Sequence, residues 1–228
     1  KRALELFKKV GDLRGVGDVL INLANASISS GKLVEAEQQL IESQRAHKRN
    51  KNIISKACFS ACWGYIKTEY EEQQKAFESL NLAMELYSEA EDKVGGAHVL
   101  MLRGNVYFKW DDFDLARKDY EQASLLSQEI GDPLGEASAK VNIGNIFFRQ
   151  GKFKEALTNY ESALVVHESL ENVLGTARTL TNMGSVLARL KRNNEALDLL
   201  DRAQQLYKQV EAKGRLVDTV QQVVSHIE

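Results

Sequence analysis

Alanine recurs every 40 residues along this chain, at Ala36, Ala76, Ala116, Ala156 and Ala196. A second column keeps the same phase through Ala24, Gly64, Gly104, Gly144 and Gly184, and a third through Ser43, Ala83, Ala123, Ala163 and Ala203. Self-similarity at a fixed period of this length marks stacked supersecondary units, each burying its apolar face only against its neighbours. The repeat therefore decides the fold class. At 228 residues the chain could hold one or two globular domains, but an array needs no such division.

Composition excludes several classes. With one proline, 15 glycines, 43% hydrophobic and 27% charged residues, the balance is that of a soluble helical protein. A net charge of -2 gives no global field toward nucleic acid or an anionic membrane. Cys58 and Cys62 lie four apart on one predicted helix, a geometry that disfavours a disulfide and points to a reducing compartment. No apolar run of about 18 residues and no leader pattern occur, so a cytoplasmic location without membrane insertion is expected. The chain starts mid-repeat without an initiator methionine, which reads as a segment of something longer.

Each unit reads as two helices. Gly131 suits the left-handed end of one helix, Asp132 caps the next and Pro133 fits its first turn. The same offsets recur as Gly11-Asp12, Asn52, Glu91-Asp92 and Glu171-Asn172, with glycine three residues on at Gly15, Gly95, Gly135 and Gly175. Helices are predicted over about 135–150 and 153–170, the second from the spacing of Leu157, Tyr160 and Leu164.

The columns resemble the tetratricopeptide repeat, whose small and aromatic signature positions are met here by Ile143, Gly144, Phe147, Ala156, Tyr160 and Ala163. Complete copies run over about 17–50, 57–90, 97–130, 137–170 and 177–210, within one array spanning 1–228. Residues 1–10 read as the end of a truncated repeat and 215–227, through Leu216, Val220, Val223 and Ile227, as a C-terminal capping helix. Arg103, Ser27 and Lys67 stand where the family has apolar residues, and the usual proline after the second helix is missing. The 40-residue unit with its Gly-Asp-x-x-Gly linker is most similar to the Pins-type adaptors. The resemblance implies an all-α fold, a right-handed superhelical α-solenoid of helix pairs with a concave groove.

Along each first helix, positions spaced 4, 3 and 4 apart form one stripe. It contains Asn22 and Asn25, then Cys58, Cys62 and Tyr65, then Asn105 and Lys109, then Asn142, Asn145 and Arg149, and finally Arg178, Asn182 and Arg189. Asparagine is a mediocre helix former, so its recurrence asks for a use of the amide. Either the amides clamp a peptide backbone, as the family resemblance implies for a groove, or they hydrogen-bond between repeats. Segments 97–110, 137–150 and 177–190 carry six basic and no acidic residues, while 113–130, 153–170 and 193–210 carry ten acidic against five basic. A groove of one sign selects a partner of the other, so the expected ligand is an acidic extended or helical peptide.

Tyr65 reads equally as a groove anchor or as packing, and Cys58 and Cys62 as free thiols that react with alkylating reagents if they face the groove. No second cluster completes a metal site and no cofactor is expected. His47 and His167 share a register three units apart and read as surface positions of second helices. No phosphate loop, zinc motif or nucleophile elbow occurs, so no catalytic residue is assigned and no enzyme is expected. Sparse cations without a stacking platform argue against nucleic acid. The leading expectation is a protein-protein interaction scaffold or adaptor. The alternatives are a structural spacer or self-associating block of a larger assembly, and a regulatory sensor domain of a larger protein.

Overall fold

The computed structural model describes residues 2–46, 52–210, 215–225 and 227, and every regular element among them is an α-helix. His47, His226 and the side chain of Leu216 lie outside the described residues. The helices group into two compact units, residues 1–111 and 112–228. The first holds α1 (Arg2–Val10), α2 (Leu13–Ser29), α3 (Leu33–Ala46), α4 (Ile53–Glu69), α5 (Gln73–Glu89) and α6 (Lys93–Lys109). The second holds α7 (Phe113–Glu129), α8 (Pro133–Arg149), α9 (Phe153–Ser169), α10 (Val173–Arg189), α11 (Asn193–Gln209) and α12 (Arg215–Ser225). Pro133 occupies the first turn of α8, which therefore begins two residues before the predicted start.

Capping chemistry divides the helices into two kinds. The Oδ1 atoms of Asp12, Asp92, Asp132 and Asn172 each accept a hydrogen bond from the glycine amide three residues on, at 2.9–3.0 Å. In α4 the cap Asn52 accepts from Ile54 and Ser55. By contrast α5, α7, α9 and α11 start without a side-chain cap. Their stability must come from packing.

The turns share one device. At nine helix ends among the described residues, a residue just beyond the helix takes a left-handed φ, filled by Gly11, Gly31, Gly131 and Gly151 but also by Glu71, Glu91, Asp111, Glu171 and Lys191. Side chains strain that conformation by about 1–2 kcal/mol, of which glycine returns part as unfolded-state entropy. Glu171→Gly and Lys191→Gly are each expected to stabilise by up to about 1 kcal/mol, raising the thermal midpoint by a few degrees. A lowered midpoint in both would contradict the strain.

Small residues set the helix-pair spacing. A Cβ on Gly144 would stand 2.5 Å from the Tyr160 ring; on Gly64, 2.6 Å from Leu80; on Gly184, 2.8 Å from Leu200. These partners are fully or nearly fully buried, so each glycine is a docking notch for the second helix of its own pair. At three junctions a second set of notches seats the last turn of one helix on the helix that follows. Gly15 meets Phe7, Gly95 meets Tyr87 and Gly175 meets His167.

That column corrects the surface reading of His167. The ring is 4% exposed, and Asn172 turns Nδ2 toward its Nδ1 at 3.3 Å. Burial disfavours the imidazolium and lowers the His167 pKa below its ordinary value. As pH falls through about 6.5, the unfolded chain takes up a proton that the folded chain does not. Stability is therefore expected to fall with pH from there until the folded-state pKa is passed. His167→Tyr, which installs the residue found at Tyr87 and Tyr207, should make the midpoint less sensitive to acid than the parent over that window. Identical slopes in the two proteins would contradict the neutral buried ring.

Two of the departures from the family pattern are buried polar groups with partners. Ser27 donates to Gln39 Oε1 at 3.1 Å. Lys67 is 8% exposed and sits 3.2 Å from Glu37 and 3.0 Å from Glu72, with Trp63 and Tyr70 rings at 4.8 and 5.3 Å. Burial opposes its charge, but hydrogen bonds to Glu72 and Glu37 outweigh that and hold its pKa above the ordinary value. The third, Arg103, is half-buried and donates to Asn81. At the far end, Val220 of α12 is buried against Ala177, Leu200 and Tyr207, with Val223, Val224 and Ile227 packed beside it.

Candidate peptide-binding face

In unit 1 the stripe is open on α2 and α6, where Asn22, Asn25, Asn105 and Lys109 are exposed. It closes on α4. Cys62 is only 5% exposed and belongs to the core with Ile21, Leu40 and Ile66, while Cys58 is half-buried with its Sγ 3.0 Å from the Tyr87 hydroxyl. Burial, reinforced by Cys58, pushes the Cys62 thiol up to about 12. Cys62 thus packs the helix interface instead of offering a reactive thiol to a groove. Tyr65 beside it is half-buried.

In unit 2, α8 and α10 present Asn142, Asn145 and Asn182 half-buried, with Arg149, Arg178 and Arg189 exposed. Asn145 Oδ1 accepts from the Tyr160 hydroxyl at 2.7 Å and from Asn182 Nδ2 at 3.1 Å. Asn25 Oδ1 accepts weakly from the Cys62 thiol at 3.6 Å, at the equivalent step of unit 1. Part of the amide column therefore links one helix pair to the next. The Asn145 amide nitrogen is left as a donor.

The cations also divide. Lys109 Nζ donates to the Thr68 carbonyl at 2.7 Å, near the end of α4, and lies 3.9 Å from Glu71. Lys140 pairs with Glu136 at 2.7 Å, one turn before it on α8. The Arg149 guanidinium lies 5.7 Å over the Phe113 ring. Arg189 borders a cleft of about 500 Å³ lined by Phe148, Ser185, Ala188, Val223 and Ile227. Its described lining also includes the polar Asn193 and Gln222, so apolar side chains stand beside a single cation, which suits an anchor side chain next to a carboxylate. Sequence reasoning missed Phe148, one residue off the stripe, and read Val223 and Ile227 only as capping residues. The i, i+4 spacing of those two was the available signal.

No group of three His, Cys, Asp or Glu side chains suited to a metal occurs among the described residues. Nor is any helix among them long and apolar enough to cross a membrane.

Residues 97–129 and 135–209 match family models described as tetratricopeptide repeat. These two segments carry tetratricopeptide repeats. Among curated protein sequences none matches it. Several solved structures share the fold. BtubC (BKLC) from P. vanneervenii aligns with TM-score 0.73 at 17% identity, over 93% of this chain and 90% of its own. A Rap protein complexed with Competence and Sporulation Factor gives TM-score 0.78 at 11% identity, over 95% of this chain and 64% of its own. The Rap conjugation gene regulator of plasmid pLS20, in complex with the Phr* peptide, gives 0.77 at 15%, over 97% and 65%. The repeats thus span a little under two thirds of each of these two Rap chains.

Proposed function

We propose that this tetratricopeptide-repeat array is a non-catalytic, cytoplasmic interaction scaffold that takes an acidic peptide segment of a partner along the first-helix stripe. The observation that carries this reading is the cleft of unit 2, where Arg189 stands beside the apolar side chains of Phe148, Val223 and Ile227. Arg149 and Arg178, exposed on the same two helices, extend the cationic field. The Asn145 amide nitrogen and Asn182 add backbone-directed polar groups beside it. A Rap neighbour of the same fold is in complex with the Phr* peptide, which supports a peptide ligand here. The linkers similar to those of Pins-type adaptors point the same way.

Calorimetry with two synthetic peptides tests it: one with Glu flanking a central Leu or Phe, one with Lys in place of each Glu. The acidic peptide should bind and weaken as salt rises, because charges at the rim of an interface are screened within about 10 Å at 0.1 M. The basic peptide should not bind. Equal behaviour of the two would leave a spacer or self-associating block as the better description.

A further inference from the structure

The first-helix stripe is not the only place where apolar and basic side chains converge. In unit 1 a cleft of about 640 Å³ lies between the C-terminal turns of α3 and α5, over the start of α4. Leu82 and Leu86 of α5 and Phe59 of α4 line it, with Arg45 and Lys56 also among its lining residues. Phe59 stacks on Trp63 with ring centroids 5.9 Å apart, which stiffens one wall. At 100° per residue, Lys56 and Phe59 fall on a side of α4 turned away from Cys58, Cys62 and Tyr65, so this cleft is separate from the stripe.

Its residues break the repeat. The positions in register with Leu82 are Glu42, Gln122, Ser162 and Arg202, polar in every other copy, yet Leu82 stands 47% exposed. The position of Lys56 is Gly96 one array step further on and Glu136 two steps on, and that of Arg45 is Glu85 one step on. Packing of the array requires none of these three side chains, since the other copies do without them. Among the described residues the lining contains two cations and no carboxylate, and in sequence residues 43–68 hold six Lys or Arg and no Asp or Glu. We infer that this outer cleft is a second docking site, taking an amphipathic helix of a partner protein that inserts apolar side chains between Leu82 and Phe59 and sets Asp or Glu against Arg45 and Lys56. Charge complementarity selects the partner: an exposed apolar wall alone would take any hydrophobic helix, whereas cations without paired carboxylates exclude a basic one.

The test uses a labelled helical peptide of about 18 residues with leucines on one face and glutamates elsewhere, titrated by fluorescence anisotropy. Leu82→Gln and Lys56→Glu install residues that the same register holds elsewhere, so the thermal midpoint should not move, and Lys56→Glu alone decides the matter if Leu82→Gln unsettles the fold. Because the stripe is also proposed to take acidic peptides, the titrations are made in the Arg149→Glu/Arg189→Glu background, where the peptide should still bind and each cleft variant should weaken it about tenfold. Affinity indifferent to both cleft variants in that background would overturn the inference, as would absence of binding there by a peptide that the wild-type protein binds, which moves the peptide to the stripe. No binding by the wild-type protein at about 1 mM peptide would also overturn it. So would sedimentation with phosphatidylserine vesicles, abolished by Lys56→Glu, in the absence of peptide binding, which assigns the cleft to a membrane surface.

Discussion

Gly144→Leu is expected to lower the thermal midpoint more than any surface substitution in the array. Even a methyl group at this position would lie 2.5–3.0 Å from three atoms of the Tyr160 ring, and Tyr160 is fully buried and hydrogen-bonded to Asn145. The ring has no free direction in which to retreat, so α8 and α9 must separate. Overpacking of this kind costs about 1–3 kcal/mol, and the coupling of each pair to its neighbours adds to it. For a chain of this size each kcal/mol is worth roughly 2–4 °C. Hydrogen exchange should show faster opening in α8 and α9 and in the adjoining α10, since Asn145 also holds Asn182. Tyr160→Leu, which copies the partner of Gly64 and Gly184, should restore part of the loss in the Gly144→Ala background, because leucine can shift where the ring cannot. An unchanged midpoint in Gly144→Leu would mean that the glycine column is not the point of helix approach.

The periodic features were legible because each depends on residues close in sequence. Asp92, Asp132 and Asn172 announce their helix starts through the glycine three residues on, and the cap bond forms there in the structure. The left-handed turn at Lys191 was hidden because no glycine marks it, and at Glu171 only its repeat offset with Gly131 pointed to one; the geometry of the helix pair imposes a conformation that local propensity opposes. His167 was misplaced because polarity was allowed to decide its exposure. Its register mates Tyr87 and Tyr207 and the facing Gly175 carried the opposite message. Long-range pairings were out of reach: the partner of Lys67 that lies furthest in sequence, Glu37, is 30 residues away, and the sharing of Asn145 between Tyr160 and Asn182 depends on the distance between pairs. The stripe as a face was legible, but its division into structural amides, cations held by backbone or carboxylate, and exposed arginines was not.

The second large effect expected is on binding. Reversing Arg149 and Arg189 to Glu replaces two exposed cations of unit 2 by carboxylates beside the apolar cleft. Loss of a charge-assisted hydrogen bond costs about 1.5–3 kcal/mol, and placing like charge opposite an acidic ligand adds repulsion, so affinity should fall at least about tenfold. Neither side chain is buried, and folding should be retained. Asn182→Ala, by contrast, removes a donor to Asn145 and should lower stability as well as affinity. The calorimetric affinity of the Glu-flanked peptide for the double-reversal protein, set beside that of wild type at low and high salt, probes the peptide-binding face most directly. The expected result is wild-type binding that weakens with salt and a variant that binds at least tenfold more weakly at low salt, with the gap narrowing as salt rises. Equal affinities of the two folded proteins at every salt concentration would contradict a cationic peptide-binding face.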